Sequence, residues 1–391
     1  MVFSTTAKER FSKYRQQIIS YYHIFMGLTS YWYCKEKDKY QRNTGSRLFH
    51  IMLNVVSLFV MCFKLQNFIE EFRKAQALHP LITLLFEMNN RLRSLLVAHT
   101  VLHVIRYDRL ITCMRMELQE LKSHCLREIT LRPDIEARFK YLFWAKLLFL
   151  YYIYIISLVM TLTTANNVSS IWQIMMNIAF VNINGLWYFV LFQYFEIIWK
   201  ICCLFYYIEQ HVCHIAQEAV ATAVPLEGLA RKLYWSLRMH SKLCVCWLQL
   251  QNGFKWQIFL SRLVNVTSNS TNIFYAFVSS ASIYQSLLML TMGSLSYLVI
   301  TLDLYINDYM CDMTVNSFEG LHLALKEFNG VQHTWTALHL QCEEFSLYLC
   351  NRKVNLKLAG ALNMDRKAWL SLISTLATYS IVLIQVHLAN L

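Results

Sequence analysis

The chain has 391 residues, of which 56% are hydrophobic and 15% carry a full charge, and it contains only 9 Gly and 3 Pro. A soluble domain usually has about 45–50% apolar and about 25% charged residues. The composition therefore excludes a disordered, collagen-like or glycine-rich chain and predicts a polytopic membrane protein.

Seven apolar stretches are long enough to cross a bilayer as helices, which takes about 20 residues. The second contains charged residues (Glu87, Arg91 and Arg93) and the fifth is unusually polar, so these two are assigned on length and position. A further apolar stretch, residues 18–33, is predicted as an interfacial or partly inserted helix. In chain order the seven predicted spans are residues 48–68, 78–105, 141–162, 171–203, 254–278, 286–306 and 369–388.

The positive charges predict the orientation of these spans. The N-terminal segment and the connections after spans two, four and six, counted with Lys200 and Lys255 at the adjoining span ends, hold 29 Lys and Arg, whereas the alternate connections hold 2, Arg73 and Lys74. Because cytoplasmic loops carry the excess of Lys and Arg, the N-terminus is predicted inside and the C-terminus outside. The same bias explains the formal net charge of +12, so no nucleic-acid partner is expected.

Three cytoplasmic segments have apolar residues at helical spacing: 109–124, 227–250 and 318–351. They are either spans continued below the membrane or a separate bundle that makes subunit contacts. In both cases the basic inner ends of the helices are expected near anionic lipid headgroups.

Polar groups within the predicted spans indicate a ligand pocket. Amides inside a membrane must find a partner or line a wet cavity, so either they bond between helices or they face a small organic ligand. Carboxylates are few there, which favours a weakly polar, bitter-type ligand. No metal or cofactor site is predicted, and the sequon at Asn167 is a glycosylation candidate in the predicted extracellular connection. The candidate pocket residues are Asn182, Trp187, Asn265, Asn269, Tyr275, Tyr284 and Gln285.

The last predicted span carries the most specific pattern. Residues 378–386 read TYSIVLIQV, and this segment closely resembles the end of insect gustatory receptors, although the family's usual Phe after Gln is Val386 here. Residues 252–258 (NGFKWQI) and, more weakly, 26–28 (MGL) add to the resemblance.

The resemblance implies an all-α subunit with seven transmembrane helices in inverted topology, and a tetrameric ligand-gated cation channel in the plasma membrane. Residues 1–308 would then form the first six spans and the ligand pocket. Residues 309–391 would form a cytoplasmic anchor helix and the pore-lining last span. The implied partners are a small-molecule tastant, membrane lipids and related subunits in a homo- or hetero-tetramer, and no enzymatic activity is implied.

Helical spacing places Thr378, Ile381 and Gln385 on one face of the last span, with Tyr379 and Val386 on an adjoining face. Because the resemblance implies that this helix lines the pore, these five residues are the pore and gate candidates. Gln385 and Val386 would lie near a constriction, where a ring of apolar side chains can gate by dewetting. The alternative is that Gln385 only bonds to a neighbouring helix. An odorant-type channel of the same superfamily is the alternative function. A G-protein-coupled receptor is a second alternative, but its N-terminus would lie outside.

Overall fold

The computed structural model is almost entirely helical, which confirms the all-α class. It describes residues 14, 17, 20–34, 36–37, 39–75, 80–128, 132–164, 171–220, 226–280, 287–328, 336–351, 357–358, 362–363 and 366–389. The helices are α1 (Thr44–Ala75), α2 (Pro80–Glu128), α3 (Pro133–Thr164), α4 (Ile171–Val220), α5 (Leu226–Ser280), α6 (Leu287–Glu327), α7 (Thr336–Asn351) and α8 (Arg366–Ala389). Two small antiparallel hairpins, not predicted, are β1–β2 (Trp32–Cys34 with Lys39–Gln41) and β3–β4 (Lys357–Leu358 with Leu362–Asn363).

Several helices are much longer than a membrane is thick. Helices α2, α4 and α5 have 49, 50 and 55 residues. A helix of this size is about 75 Å long, against about 30 Å for the hydrocarbon core of a bilayer. The segments 109–124 and 227–250 continue α2 and α5 without a break. For these two segments, the structure therefore agrees with the interpretation of continued spans.

Among the described residues, four helical segments are long and apolar enough to cross a membrane: Thr44–Cys62, Pro133–Val159, Ile178–Ala219 and Arg366–Ala389. The other three predicted spans, in α2, α5 and α6, contain Arg93, Arg262 and Asp303, which face other helices. The count of seven spans and their orientation stay predictions.

Helix α4 forms the centre of the bundle. In the most apolar 18-residue stretch of α4, 67% of the residues are buried inside the protein. The helix packs against α1, α2, α3, α5 and α6. Its residues Tyr194, Phe195 and Ile198 are completely buried. Helix α8 lies at the edge and packs mainly along α5 and α6. The bundle therefore has a largely buried central helix and a last helix that is mostly uncovered.

The N-terminal apolar stretch is not one helix, so the prediction for residues 18–33 was wrong. The helix over residues 20–25 ends in a Schellman turn at Gly27, whose φ is 69° and whose next residue, Leu28, donates to the His23 carbonyl at 2.8 Å. The chain then reverses into β1. Only glycine takes this left-handed conformation without steric cost, so the turn shortens the predicted helix.

A buried carboxylate fastens this N-terminal segment to α2. Asp108 accepts hydrogen bonds from Thr29 Oγ1 at 2.5 Å, from Ser30 N at 3.0 Å and from Ser30 Oγ at 2.5 Å. All three residues are buried. A charged acceptor with three short donors is a strong local attachment.

Asp108→Ala is expected to release the segment, because each hydrogen bond to a charged group contributes about 1.5–3 kcal/mol. Amide hydrogen exchange over residues 28–34 should accelerate by at least about tenfold, which corresponds to the loss of one such bond. Glu120→Ala, at an exposed position of the same helix, is the matched control and should leave that exchange unchanged. Equal exchange in the Asp108→Ala and wild-type chains would contradict the attachment.

Aromatic residues of α4, α6 and α7 meet around one histidine of α5. His240 of α5 is completely buried, and its ring lies 5.0 Å from Phe205, 5.4 Å from Phe318, 5.7 Å from Phe345 and 5.8 Å from Tyr348, measured between ring centroids. Burial among these rings disfavours the charged imidazolium and lowers the pKa of His240 to about 3. The histidine is therefore neutral in the folded chain at pH 7.

This burial predicts that acid destabilises the part of the bundle around His240. Unfolding restores the pKa of His240 to about 6.5, so the unfolded chain binds a proton below that pH and the folded chain does not. The contribution of neutral His240 to the free energy of unfolding is complete above about pH 6.5 and is lost as the pH falls toward 3. About 2 kcal/mol of it is lost by pH 5. We expect His240→Phe to remove this share of the pH dependence in thermal unfolding of the detergent-purified chain. His339→Gln, at an exposed position of α7, should retain it. An unchanged pH dependence in His240→Phe would contradict the assignment.

Candidate functional site

A narrow cavity lies between α3 and α4, in the parts of both helices nearer to the connection that joins them. Its volume is about 10 Å³, which is enough for about one water molecule. The walls are mostly aliphatic and aromatic, and three of the lining residues, Tyr154, Ser157 and Tyr188, carry hydroxyl groups. The lining residues are Leu150, Ile153, Tyr154, Ser157, Val181, Gly185, Tyr188 and Phe189.

Two contacts shape this cavity. The Tyr154 hydroxyl donates a hydrogen bond to Asn182 Oδ1, which joins the two helices. A Cβ added at Gly185 would lie 3.4 Å from the Tyr154 ring, which is the edge of ordinary contact, so a side chain longer than that of alanine would press on the tyrosine. A larger residue at position 185 would occupy the space that the cavity now provides.

The predicted pocket residues do not form one lining. Asn182 bonds to Tyr154, and Trp187 is 7% exposed with its ring centroid 3.6 Å from that of Tyr188, so both adjoin the cavity. Tyr275 instead lies edge-on to Phe86 of α2, at 5.6 Å between ring centroids. Tyr284, Gln285 and the sequon residue Asn167 lie outside the described residues.

Asn265 and Asn269 belong to a separate group between α5 and α6. Asn269 Nδ2 donates to the Asn265 carbonyl at 2.9 Å and to Thr301 Oγ1 at 3.3 Å. The Asn265 side chain is 2% exposed, and among the described residues neither its Nδ2 nor its Oδ1 has a hydrogen-bond partner. Asn269 thus makes an interhelical bond. The Asn265 amide would gain hydrogen bonds from a water molecule or a polar ligand group.

An arginine within predicted span two joins three helices. Arg93 Nη2 lies 3.0 Å from the Tyr297 hydroxyl of α6 and 3.3 Å from Ser268 Oγ of α5. Ser268 in turn donates to Asn89 Oδ1 at 2.7 Å. Among the described residues no carboxylate pairs with Arg93. At the membrane depth predicted for span two a charge is costly, so a cation that bonds only to neutral groups there is a candidate functional position.

Two buried ion pairs connect α6 to its neighbours. Lys146 Nζ of α3 lies 2.6 Å from Asp303 Oδ2 and 2.9 Å from the Asp303 carbonyl, with the two side chains 1% and 7% exposed. Arg262 of α5 pairs with Asp308, and both are buried. The sequence analysis did not predict these pairs. The available signal was that each of the four charged residues lies in or beside an apolar run, where a charge needs a partner.

The pore and gate candidates lie on the uncovered surface of α8. Tyr379, Ile381 and Val386 are 57%, 54% and 43% exposed, and Thr378 and Gln385 are also exposed. The opposite face packs on the bundle through the buried Ser380 and His387, and the His387 ring lies 5.8 Å from that of Phe274. In the most apolar 18-residue stretch of α8, only 6% of the residues are buried. A helix that exposes so much apolar surface is available to lipid or to other subunits.

Comparison with known proteins decides the family. The sequence model of the 7tm Chemosensory receptor family matches residues 16–390. The chain belongs to this family. The family prediction from the last helix is thereby confirmed, and the protein is a membrane receptor of a chemosensory family and not a member of an enzyme family.

Two similar proteins of Drosophila melanogaster are putative gustatory receptors. The chain is 22% identical to putative gustatory receptor 22b over 160 residues, which are 41% of this chain and 42% of that protein. It is 21% identical to putative gustatory receptor 22d over 167 residues, 42% of this chain and 43% of that protein. The matched part of the chain spans less than half the length of these relatives.

Two similar solved structures are of the insect olfactory receptor OR5 from Machilis hrabei. With eugenol bound, that structure has a TM-score of 0.67 and 12% identity, covering 97% of this chain and 99% of that chain. A second structure of the same receptor has a TM-score of 0.65 and 12% identity, covering 96% of this chain and 98% of that chain. At this identity, the comparison shows that the fold is shared along the whole chain.

Proposed function

We propose that this chemosensory receptor is a gustatory receptor: a subunit of a tetrameric cation channel in the plasma membrane, opened by a small organic tastant of the bitter type. The observation that carries the channel proposal is the exposure of α8: the helix is apolar, and yet only 6% of the residues in its most apolar 18-residue stretch are buried. Four such helices around one axis would cover each other and enclose a path. The fold, shared with an insect olfactory receptor, supports the proposal.

In this proposal Thr378, Ile381 and Gln385 line the central path, and Tyr379 and Val386 contact the neighbouring subunit or narrow the path. All five are on the exposed side of α8. Residues 309–391 then supply the anchor and the pore, and residues 1–308 the remaining spans and the ligand pocket. The N-terminus lies in the cytosol, so a tag there should be stained only after permeabilisation of the cells.

The ligand pocket proposed here is centred on the cavity between α3 and α4. Its small volume means that a tastant must displace side chains, and Tyr154 is the side chain best placed to move, because one hydrogen bond to Asn182 holds it. Trp187 supplies an apolar aromatic wall. Asn265 and Asn269 form a second polar position for the ligand, with the amide of Asn265 as the group that lacks a partner among the described residues. Tyr275, Tyr284 and Gln285 stay candidates from the sequence alone.

Gly185→Leu tests the pocket, because the added side chain fills the cavity beside Tyr154. With a panel of bitter organic compounds applied to cells that express the channel, the compound concentration for half-maximal current should rise by at least about tenfold, since the cavity is occupied. Basal current and surface expression should be retained.

The matched control is Gly228→Leu, because no atom lies within 4 Å of a Cβ added at Gly228. It should respond as the wild-type chain does. An unchanged response in Gly185→Leu would place the pocket elsewhere.

An odorant-type channel is the second candidate function, and the observation that favours it is the match to an insect olfactory receptor over 97% of the chain. A parallel panel of volatile odorants distinguishes the two functions. Currents evoked by volatile compounds and not by bitter compounds would favour the odorant type.

A further inference from the structure

A basic recess opens beside the start of α1, where the strand β2 leads into the helix. Its volume is about 270 Å³, and its lining residues are Tyr31, Arg42, Asn43, Thr44 and Arg47. Both arginines are exposed. The recess is separate from the α3–α4 cavity and from α8. The charge pattern of the sequence counts Arg42 and Arg47 among the basic residues of the predicted cytoplasmic side, but it assigns them no binding site, and the proposed channel function does not use them.

The positive charge of this recess is not neutralised within the described residues. No carboxylate there lies at ion-pair distance from Arg42 or Arg47. The Arg42 guanidinium lies 5.4 Å from the centroid of the Tyr31 ring, and its Nη1 lies 3.5 Å from the Tyr31 hydroxyl. This contact positions the guanidinium and leaves its charge available to an anion.

The recess is built on a fixed framework. Asn43 Oδ1 accepts a hydrogen bond from Ser46 N at 2.6 Å, so the first turn of α1 is already capped by the chain itself. Ser46 Oγ donates to the Ser30 carbonyl at 2.8 Å, and Ser30 is held by the buried Asp108. An anion would therefore be bound by the guanidinium groups and not by the helix end, and little ordering would be needed on binding.

The recess lies at the border of a lipid-facing surface. Directly after Arg47, the side chains of Leu48, Phe49 and Met52 are 59%, 47% and 57% exposed on a helix apolar enough to span a membrane. A basic site at the start of such a surface is at the depth of the lipid phosphates. On the predicted orientation this is the cytoplasmic leaflet, which carries the anionic lipids.

We propose that this recess binds the phosphate monoester of an anionic phospholipid headgroup in the cytoplasmic leaflet, with Arg42 and Arg47 as the phosphate-binding residues. Guanidinium groups bind phosphate through paired N–H donors, and two of them match the nearly double charge of a phosphate monoester. The proposal depends on the predicted cytoplasmic side of the N-terminus and not on channel activity.

The test uses the full-length chain purified in detergent and a fluorescent phosphatidylinositol bisphosphate, with binding followed by fluorescence polarisation. Arg42→Ala/Arg47→Ala should weaken binding by at least about tenfold, since two charge-assisted contacts are lost. Arg231→Ala/Arg238→Ala removes the same charge from exposed cytoplasmic positions of α5 and should bind as the wild-type chain does. Equal loss in both double variants, or no loss in the first, would overturn the proposal.

Competitors distinguish the source of the phosphate. The unlabelled lipid should displace the probe, while phosphatidylserine, inorganic phosphate and soluble inositol trisphosphate should displace it much more weakly. Displacement by soluble inositol trisphosphate as strong as by the lipid would overturn the lipid assignment. If gel filtration shows that the alanine variant is not folded, Arg42→Lys/Arg47→Lys decides: a loss of at least about threefold, from the missing guanidinium fork, supports the proposal, and wild-type binding overturns it.

Discussion

Lys146→Leu is expected to lower the free energy of unfolding of the purified chain by about 3–5 kcal/mol, because it leaves the buried carboxylate of Asp303 without its counter-charge. Lys146 is 1% exposed and also donates to the Asp303 carbonyl, so one substitution removes two contacts between α3 and α6. Thermal unfolding in detergent, compared at fixed pH and detergent concentration, measures the change.

The double variant Lys146→Leu/Asp303→Leu should recover most of that loss, since replacing a buried pair by apolar side chains is often neutral. Lys140→Leu is the matched control on the same helix. Its pair with Glu136 is exposed and should contribute at most about 1 kcal/mol. If Lys146→Leu and Lys140→Leu had the same effect, the buried pair would not stabilise the bundle.

Gln385→Arg is expected to reduce the ligand-evoked cation current by at least about tenfold, because four arginines around one axis would repel cations. Gln385→Ala should alter conductance or basal current without this charge effect. Both are measured by patch clamp in cells whose surface expression of the variant equals that of the wild-type chain.

Thr375→Ala and Thr375→Arg are the controls, because Thr375 is exposed on α8 but lies about 15 Å from Gln385 along the helix axis, away from the proposed constriction. The alanine control should leave the current unchanged, and the arginine control should reduce it less than Gln385→Arg does. Wild-type currents in both Gln385 variants would place that residue away from the constriction.

The last helix shows what local pattern can predict. Residues 369–388 were predicted as a span, and α8 covers Arg366–Ala389. Because helical spacing determines which residues share a face, the sequence predicted that Thr378, Ile381 and Gln385 lie on one face of this helix, and in the structure all three are exposed. What surrounds that face depends on other copies of the chain, so the pore stays a proposal.

The pocket shows where local pattern is insufficient. Spacing indicates that Asn182 and Asn265 are not lipid-facing, but it does not determine which helix each will meet, and they lie in different groups. Tyr154 was missed because it stands in the apolar run YYIYII, where its hydroxyl gives no periodic signal. Gly185 was a usable signal, since a glycine inside a long apolar helix indicates close approach of a neighbour.

The N-terminal stretch illustrates a third limit. Apolar composition over residues 18–33 predicted a helix, whereas Gly27 ends it and Asp108 holds the following residues. Asp108 is far along the chain, so its contact is not visible in any local window. Long-range pairing of this kind also explains why the ion pairs of α6 were not predicted.

The most direct measurement of the central claim is a cryo-EM structure of the purified chain in lipid nanodiscs. The proposal predicts four copies around one axis, with α8 of each copy at the axis and Gln385 facing the path. A particle with one copy, or an assembly in which the exposed face of α8 contacts lipid, would contradict it.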